Sequence, residues 1–278
     1  LAARRRDSEA EVRLNRRLAP HVYLGTQPLT LEADGRLAIG GDGEIVDWLV
    51  EMRRLDRRRM LDERLARRQV SAGDLARVTA QLAAFYAAEP PAVTDGAGLA
   101  ARLSAQVEAN RSVLETLDPG VARTLCEAQL AFVQARRDWL HARAAGGCVV
   151  EAHGDLRPEH ILLDDPPAVI DCLEFDRNLR ILDRAEELEF LSLECARLGH
   201  AATGERIARE CLDRLDDAVP PALRRFYRSH RAATRAKLYV WRAGEPDGGS
   251  PQQWHATARE YLALARQAAD EAAPASPT

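Results

Sequence analysis

The segment from His153 to Asp171 constrains the fold of this chain more than any other stretch. It reads HGDLRPEHILLDDPPAVID and holds two short apolar runs, ILL and AVI, separated by DDPP. Acidic and proline residues between two apolar runs are typical of a tight turn that joins two strands. The pattern therefore predicts a β-hairpin that folds Asp171 back toward Asp155 and His160.

Polar side chains of this segment match the needs of phosphoryl transfer to a hydroxyl group. That reaction takes little covalent help from the protein, but it needs a carboxylate that positions the attacking hydroxyl and ligands that hold magnesium. We interpret Asp155 as that carboxylate and Asp171 as a metal ligand. His153 is placed with Asp155 in the catalytic loop, where it orients the loop through hydrogen bonds. Gly154 lets the backbone turn sharply between them.

These residues resemble the signature of the aminoglycoside phosphotransferase and choline kinase family, a branch of the protein-kinase-like superfamily. That signature runs HGDLxxxN, then a hairpin, then two apolar residues and Asp, and HGDLRPEH and VID take those positions here. Together with EVRLNRRLAPHVYLG near the start, and with VIDCLEF, they resemble an uncharacterised bacterial subgroup of the family. The resemblance implies an α+β, protein-kinase-like fold with a reduced amino-terminal sheet lobe and a large helical carboxy-terminal lobe.

The resemblance also implies an activity and residue roles. The activity is transfer of phosphate from ATP or GTP to a hydroxyl of a small molecule, with magnesium, or manganese in its place, beside the nucleotide. Asp155 takes the position of the base and Asp171 that of the principal metal ligand. Asp183 takes the position of a second acidic residue that braces the catalytic loop. The expected partners are a nucleotide and a small-molecule alcohol.

His160 departs from the family pattern, which has Asn at this position. Imidazole is a poor ligand for magnesium and suits zinc, manganese or iron-type ions. His160 therefore changes the metal preference, leaves a one-metal site or marks lost catalysis, and Glu159 can partly substitute for it. In a purely structural interpretation, His160 caps a strand and bonds to the backbone. We keep His160 as a candidate metal ligand beside Asp171.

The nucleotide-binding lysine of kinase-like enzymes has no visible counterpart. Lys237 is the only lysine of the chain and lies in a late helical segment, far from the amino-terminal strands where that lysine belongs. Because the sequence begins at Leu1 and opens directly into a helical pattern, we predict a truncated amino-terminal lobe. By resemblance, Glu9 or Glu11 in the opening helix is the candidate for the glutamate that pairs with such a lysine.

The coarse pattern predicts an opening helix through about Leu18, followed by a small sheet. Its strands are predicted near 22–24, 37–39 and 45–52. Residues 1–55 are therefore assigned to an amino-terminal lobe. By resemblance, Met52 and Arg53, where the chain leaves the last strand, are candidates for the hinge that offers backbone groups to the nucleotide base.

Helices dominate the rest of the chain. A capping box is predicted at Ser71 and Asp74. Long helices are predicted at 98–117, 120–145, 183–199, 203–216, 220–243 and 251–271. We assign 56–272 to a helical lobe that contains the catalytic hairpin, at 153–175, and we predict a disordered tail at 273–278.

Composition favours a cytoplasmic enzyme. The 278 residues carry a formal net charge of −4, and 46% of them are apolar, so the sequence does not favour a nucleic-acid partner. No segment approaches the apolar length of a membrane span. The five cysteines have no paired spacing and are predicted to be buried thiols. The sequence does not specify an oligomeric state.

Two interpretations from other functional classes stay open. The first is a kinase-fold binding module that has lost catalysis, which the missing lysine and His160 favour. The second is a metallohydrolase that uses His153, Asp155, His160 and Asp171 around zinc or manganese, because mixed imidazole and carboxylate ligation suits these ions. Hydrolysis without ATP is the mark of the second class.

Overall fold

The computed structural model describes residues 1–245 and 249–272, and it shows a helix-rich fold of mixed α and β structure with small sheets. The predicted α+β class is confirmed at this level. Within the described residues the α-helices are α1 Ala2–Asn15, α2 Leu61–Ala66, α3 Ala72–Ala88, α4 Gly96–Leu114, α5 Pro119–Ala135, α6 Arg137–Ala145, α7 Arg184–Arg197, α8 Ala201–Arg214, α9 Pro221–Ala243 and α10 Pro251–Ala272. The strands are β1 Tyr23–Leu31, β2 Leu37–Ile39, β3 Glu44–Met52, β4 Val149–Glu151, β5 Ile161–Leu162, β6 Ala168–Val169 and β7 Ile181–Asp183. The tail predicted at 273–278 lies outside the described residues.

The first sheet is antiparallel, with the strand order β2-β1-β3. The sequence pattern predicts β1 only near 22–24, whereas the structure extends this strand through Pro28 to Leu31. Pro28 is tolerated in the central strand because β2 begins to pair only at Leu29. Its carbonyl oxygen accepts a hydrogen bond from the Gly40 N–H beyond the end of β2. The missing N–H of proline faces the same side, where no residue of β2 is paired with Pro28.

The predicted hairpin is present. Strands β5 and β6 pair antiparallel, with Ile161 opposite Val169, and both side chains are fully buried. Beyond the paired residues, the Ile170 N–H donates to the His160 carbonyl oxygen at 3.0 Å. The hairpin thus returns the chain next to the point where it entered. The remaining small sheet consists of β4 and β7.

The helical pattern is largely confirmed, with one correction. Ser71 and Asp74 form the predicted capping box at the start of α3. The single helix predicted over 120–145 is wrong, because the structure divides it at Arg136 into α5 and α6. Arg136 leaves helical geometry, its carbonyl oxygen accepts the N–H of Trp139, and its guanidinium lies over the Trp139 ring. Neither glycine nor proline stands at this break, so local sequence does not mark it.

The chain forms two compact units, each made of three segments. Of the described residues, the first contains 1–89, 151–182 and 194–215, and the second contains 90–150, 183–193, 216–245 and 249–272. The first unit has a buried cluster that joins the end of α1 to the start of β1 and to the hairpin, and it includes Val12, Val22, Tyr23, Leu162 and Ala168. The second unit has a larger helical core, which includes Leu114, Leu125, Phe190, Ala233 and Tyr261. The lobe boundary predicted after residue 55 stays a prediction.

The cysteines are free thiols, and all of them are buried, as predicted; they lie at positions 126, 148, 172, 195 and 211. Burial raises the pKa of the Cys195 thiol to about 12. Such a thiol stays protonated and behaves as a small apolar side chain. In the described part of the chain, no helix combines the length and the apolar character needed to cross a membrane.

Candidate active site

Asp155, His160 and Asp171 converge in the first unit. Each offers a ligand atom, and these atoms all lie within 4.8 Å of one another. His160 Nε2 is 3.1 Å from Asp171 Oδ2, and His160 Nδ1 is 3.8 Å from Asp155 Oδ2. The proximity predicted from the hairpin is therefore present. The His160 ring is buried, while the Asp171 carboxylate is open to solvent, so the cluster has one accessible side.

The Asp171 backbone is strained. Its φ is +66°, in the left-handed region that few residues other than glycine adopt. The strain is held by neighbours, because the Asp171 N–H donates to the Tyr23 hydroxyl at 3.2 Å and the next N–H, of Cys172, donates to Asn15 Oδ1 at 2.9 Å. The His160 imidazole, whose Nε2 is 3.1 Å from Oδ2, holds the pKa of the Asp171 carboxyl below its usual range. Strain of this kind clusters at functional sites, where the surrounding structure fixes one orientation.

Gly154 provides the turn that the sequence predicts. Its φ is +92°, and a Cβ there would lie 3.0 Å from Leu173 Cδ1 and 3.2 Å from Arg180 Cγ. A side chain at this position would meet both strain and crowding. The catalytic loop therefore depends on glycine at 154.

His153 holds the loop against the segment that leads from β6 to Asp171. Its Nε2 lies 2.9 Å from the Ile170 carbonyl oxygen, which can only accept, so Nε2 carries the hydrogen. Its Nδ1 then accepts the N–H of Asp155, at 3.3 Å. Because both ring nitrogens are used, His153 has no free lone pair for a metal ion, which weighs against a metallohydrolase that ligates through His153. The ring is buried, and burial lowers the pKa of His153 to about 4.

This lowered pKa predicts a loss of stability in mild acid. A histidine with a pKa of 6.5 when unfolded and about 4 when folded resists protonation only in the folded state. The contribution of His153 to the free energy of unfolding is complete above pH 6.5 and disappears as the pH falls toward 4. The loss of free energy amounts to about 2 kcal/mol between pH 7.5 and pH 5. We expect urea unfolding to show this loss for the wild type and a flatter profile for His153→Gln. Equal profiles for the two proteins would contradict the assignment.

Arg157 belongs to the site, although the sequence pattern does not single it out. Its Nε donates to Asp155 Oδ2 at 2.9 Å, and its Nη1 pairs with Glu159. Its Nη2 lies 3.1 Å from His160 Nε2. The guanidinium thus stands among three of the polar groups that phosphoryl transfer would use. Its only sequence signal is its position two residues after Asp155.

Two residues, one at the end of α1 and one just after it, also support the site without having been predicted. Asn15 is buried; its Oδ1 accepts the Cys172 N–H and its Nδ2 donates to the Glu11 carbonyl oxygen. Arg17 donates to the carbonyl oxygens of Glu151 and Ala152, at 2.7 and 3.1 Å. A polar residue in an otherwise amphipathic helix gives no sign of a partner more than 130 positions away. The contacts tie α1 to both ends of the catalytic segment.

The two glutamates considered as a lysine partner differ in position. Glu9 pairs with Arg5 across one helical turn at 2.8 Å, on the exposed face of α1. Glu11 is half-buried, and its pKa is raised by burial and by the nearby carboxylates of Glu174 and Asp171. Glu11 therefore lies on the side of α1 that faces the site. Its predicted role toward a nucleotide stays a prediction.

Met52 and Arg53 lie at the end of β3. Met52 pairs with Tyr23 of β1, and the Arg53 N–H donates to the Val22 carbonyl oxygen at 2.9 Å. This places the predicted hinge on the strand next to Tyr23, whose hydroxyl contacts the backbone of Asp171. The Arg53 N–H is already used within the sheet. The hinge interpretation remains a prediction.

Asp183 lies in the second unit, where it is fully buried. Arg143 binds both of its carboxylate oxygens, at 2.6 and 2.7 Å. The Tyr227 hydroxyl donates to it at 2.8 Å, and the Ala185 N–H donates to it at 2.9 Å. These contacts fix Asp183 at the junction of β7 and α7. Its predicted bracing of the catalytic loop remains a prediction.

The donor set of the site fits a divalent cation. It combines two carboxylates and one imidazole, whose ligand atoms are close enough to bind one ion, and the side chain of Asp171 is 66% exposed and so accessible. Carboxylate oxygens suit hard ions such as magnesium, and imidazole suits transition ions. The residues therefore fit the metal-dependent chemistry that the sequence predicts.

Comparisons with other proteins connect the chain to relatives of unspecified function. No family model matches the chain. It is 30% identical over 254 residues to the Uncharacterized protein Rv2004c of Mycobacterium tuberculosis, strain H37Rv, and to the Uncharacterized protein Mb2027c of Mycobacterium bovis. The matched segment covers 88% of this chain and 49% of each relative. The chain thus spans about half the length of the curated relatives that it matches.

Among solved structures, the chain is similar in fold to glucosamine kinase. The crystal form A of that protein superposes with a TM-score of 0.54 at 16% identity, covering 82% of this chain and 64% of that one. A complex of glucosamine kinase with glucosamine, ADP and inorganic phosphate gives a TM-score of 0.50, covering 82% and 66%. At this identity the similarity shows a shared fold, and the function has to be argued from the site.

Proposed function

We propose that this chain is an ATP-dependent phosphotransferase that acts on a hydroxyl group of a small molecule. In this proposal the fold is protein-kinase-like and the chain is related to the aminoglycoside phosphotransferase and choline kinase family. The observation that carries the proposal is the convergence of Asp155, His160 and Asp171 around one accessible point, with Asp171 held in a strained conformation. The fold shared with glucosamine kinase supports it.

Asp155 is proposed as the base. Arg157 binds its Oδ2 through Nε and Nη2, both at 2.9 Å, and so fixes the position of that oxygen. Within the described residues its polar contacts go to Oδ2, which leaves Oδ1 to meet an incoming hydroxyl. A carboxylate held in this way orients the hydroxyl and accepts its proton as the bond to phosphorus forms.

Asp171 and His160 are proposed to hold a divalent cation, magnesium or manganese. Such an ion, when bound, offsets charge on the phosphate groups of the nucleotide. Tyr23 and Asn15 fix the backbone on either side of the Asp171 Cα, so its carboxylate keeps one direction. His153 and Gly154 keep the loop of Asp155 in register with it.

The remaining predicted residues take supporting roles in this proposal. Glu11 faces the site from α1 and would pair with a cationic group beside the nucleotide. Met52 and Arg53 would meet the nucleotide base, and Asp183 would brace the catalytic loop. ATP or GTP is the phosphate donor, and an ATP-dependent activity of this kind is proposed to be cytoplasmic.

The acceptor is proposed to be a polyhydroxylated small molecule. Glucosamine kinase has been solved with glucosamine bound, so glucosamine is the first acceptor to assay, followed by other amino sugars, neutral sugars and aminoglycosides. Release of ADP reports turnover, and ³¹P nuclear magnetic resonance identifies the phosphorylated hydroxyl. Transfer that needs both acceptor and divalent cation supports the proposal.

Calorimetry of ATP binding tests the role of Asp171. We expect Asp171→Asn to weaken metal-dependent ATP binding by at least about tenfold, because it removes the charge that holds the cation. Asparagine tolerates the left-handed backbone of this position, so the fold is kept. The matched control is Asp165→Asn, an exposed carboxylate in the turn of the same hairpin. Equal affinities for wild type and Asp171→Asn would overturn the proposed role, and binding without any transfer would favour a non-catalytic kinase-fold module.

A further inference from the structure

We propose that this site selects a first-row divalent transition ion, of the manganese and cobalt class, over magnesium, and that His160 Nε2 is the ligand that makes the selection. The inference deepens the proposed function and rests on it, since it concerns the cation of the same site. It goes further in naming the ion class and the atom responsible. It also infers that Arg157, which donates to His160 Nε2, competes with the ion for that atom.

The hydrogen-bond pattern fixes which nitrogen of His160 is available. Nδ1 lies 2.9 Å from the Asp155 carbonyl oxygen, and a carbonyl oxygen can only accept, so Nδ1 carries the hydrogen. Nε2 lies 3.1 Å from Nη2 of Arg157, and a guanidinium can only donate, so Nε2 is an acceptor in this contact. Both contacts indicate the same tautomer, with the lone pair of Nε2 directed into the cluster.

This lone pair faces a second acceptor. Asp171 Oδ2 is 3.1 Å from Nε2, so the same nitrogen faces both the donor group of Arg157 and a carboxylate acceptor. A hydrogen on Nε2 would satisfy Asp171 but would point at the donor group of Arg157. A metal ion bound by both atoms resolves the conflict, because ligands at about 2.1 Å that meet an ion at a right angle are about 3.0 Å apart. The observed separation matches this spacing.

The chemistry of the ligands determines the class of ion. Magnesium prefers oxygen donors and is a weak partner for imidazole, whereas manganese, cobalt and zinc accept mixed imidazole and carboxylate ligation. An asparagine side chain at position 160 would offer a hard oxygen instead. The single exchange of that oxygen for an imidazole nitrogen therefore moves the preference of the site toward the transition ions.

Arg157 occupies the direction from which an ion would approach Nε2. Its guanidinium donates to Asp155, pairs with Glu159 and donates to His160. An ion at Nε2 displaces the contact with His160, while Glu159 and Asp155 retain the arginine. The positive charge of Arg157 thus competes with the ion, and its removal strengthens metal binding.

Manganese titration followed by electron paramagnetic resonance, without nucleotide, tests the inference. We expect the wild type to bind Mn²⁺ with an affinity at least about tenfold above that for Mg²⁺, measured by competition, and His160→Asn to reduce this ratio to near one. Electron spin echo modulation shows a directly bound ¹⁴N in the wild type and none in His160→Asn. The matched control, His200→Asn, places the same exchange at the start of α8 and keeps both signals.

Arg157→Gln is expected to tighten Mn²⁺ binding by about threefold or more, because it removes a competing positive charge. A damaged fold would weaken Mn²⁺ binding, so this result separates the two explanations. Equal displacement of Mn²⁺ by Mg²⁺ in wild type and His160→Asn, or no ¹⁴N signal in the wild type, would overturn the inference. Phosphoryl transfer that needs no higher concentration of magnesium than of manganese would overturn it and leave the proposed function standing. Nitrogen-coupled Mn²⁺ without any transfer would leave the ion assignment standing and remove the proposed function.

Discussion

The Asp155→Asn variant is expected to lose about 10²- to 10⁴-fold in kcat for phosphoryl transfer, the range over which a positioned general base contributes. Asparagine has the size of aspartate and can still accept a hydrogen bond from Arg157. It cannot accept the proton of the attacking hydroxyl, so the change acts on chemistry more than on packing. ADP release at saturating acceptor and nucleotide measures kcat.

Two controls make this result specific. Asp165→Asn removes an exposed carboxylate from the turn of the same hairpin and is expected to keep wild-type kcat. The urea midpoint of Asp155→Asn should equal that of the wild type, which separates loss of activity from loss of fold. A kcat within twofold of the wild type in a folded Asp155→Asn protein would remove Asp155 from the mechanism.

The central part of the site could be predicted because its contacts are local. Asp155 and His160 are five residues apart, and one short hairpin brings Asp171 back to them. The turn composition and the two apolar runs specify that hairpin without help from distant parts of the chain. The capping box at Ser71 was predictable for the same reason, since it depends on a spacing of three residues.

The supporting contacts could not be predicted, because they join residues that are far apart in the sequence. Tyr23 and Asp171 are separated by 148 positions, and Asn15 and Cys172 by 157. No local pattern tells which polar side chain meets which backbone group over that distance. The break at Arg136 was missed for a different reason, since its contact with Trp139 is local but involves neither glycine nor proline, the residues that usually mark the end of a helix.

Asp183 illustrates how a residue chosen by resemblance can have a further, structural role. In the second unit it joins Arg143, Asp217 and Tyr227 in a buried polar network. Arg143 is 7% exposed and Asp183 is not exposed at all, so neither charge is solvated by water. Arg184 also pairs with Asp217, at 2.6 Å, so the network holds two cations and two carboxylates. Loss of one member leaves a buried charge without its full set of partners.

Asp183→Asn is therefore expected to lower the free energy of unfolding by about 3 kcal/mol, near the lower end of the range for breaking a buried ion pair, because Asp217 still binds Arg143. Tyr227→Phe removes one hydrogen bond and keeps both charges paired, so its cost is smaller, about 1 to 2 kcal/mol. Asp34→Asn, in an exposed pair with Arg36, should leave the stability unchanged. Urea unfolding of the three variants measures this order. Equal stabilities of Asp183→Asn and Asp34→Asn would mean that the buried network does not hold the second unit together.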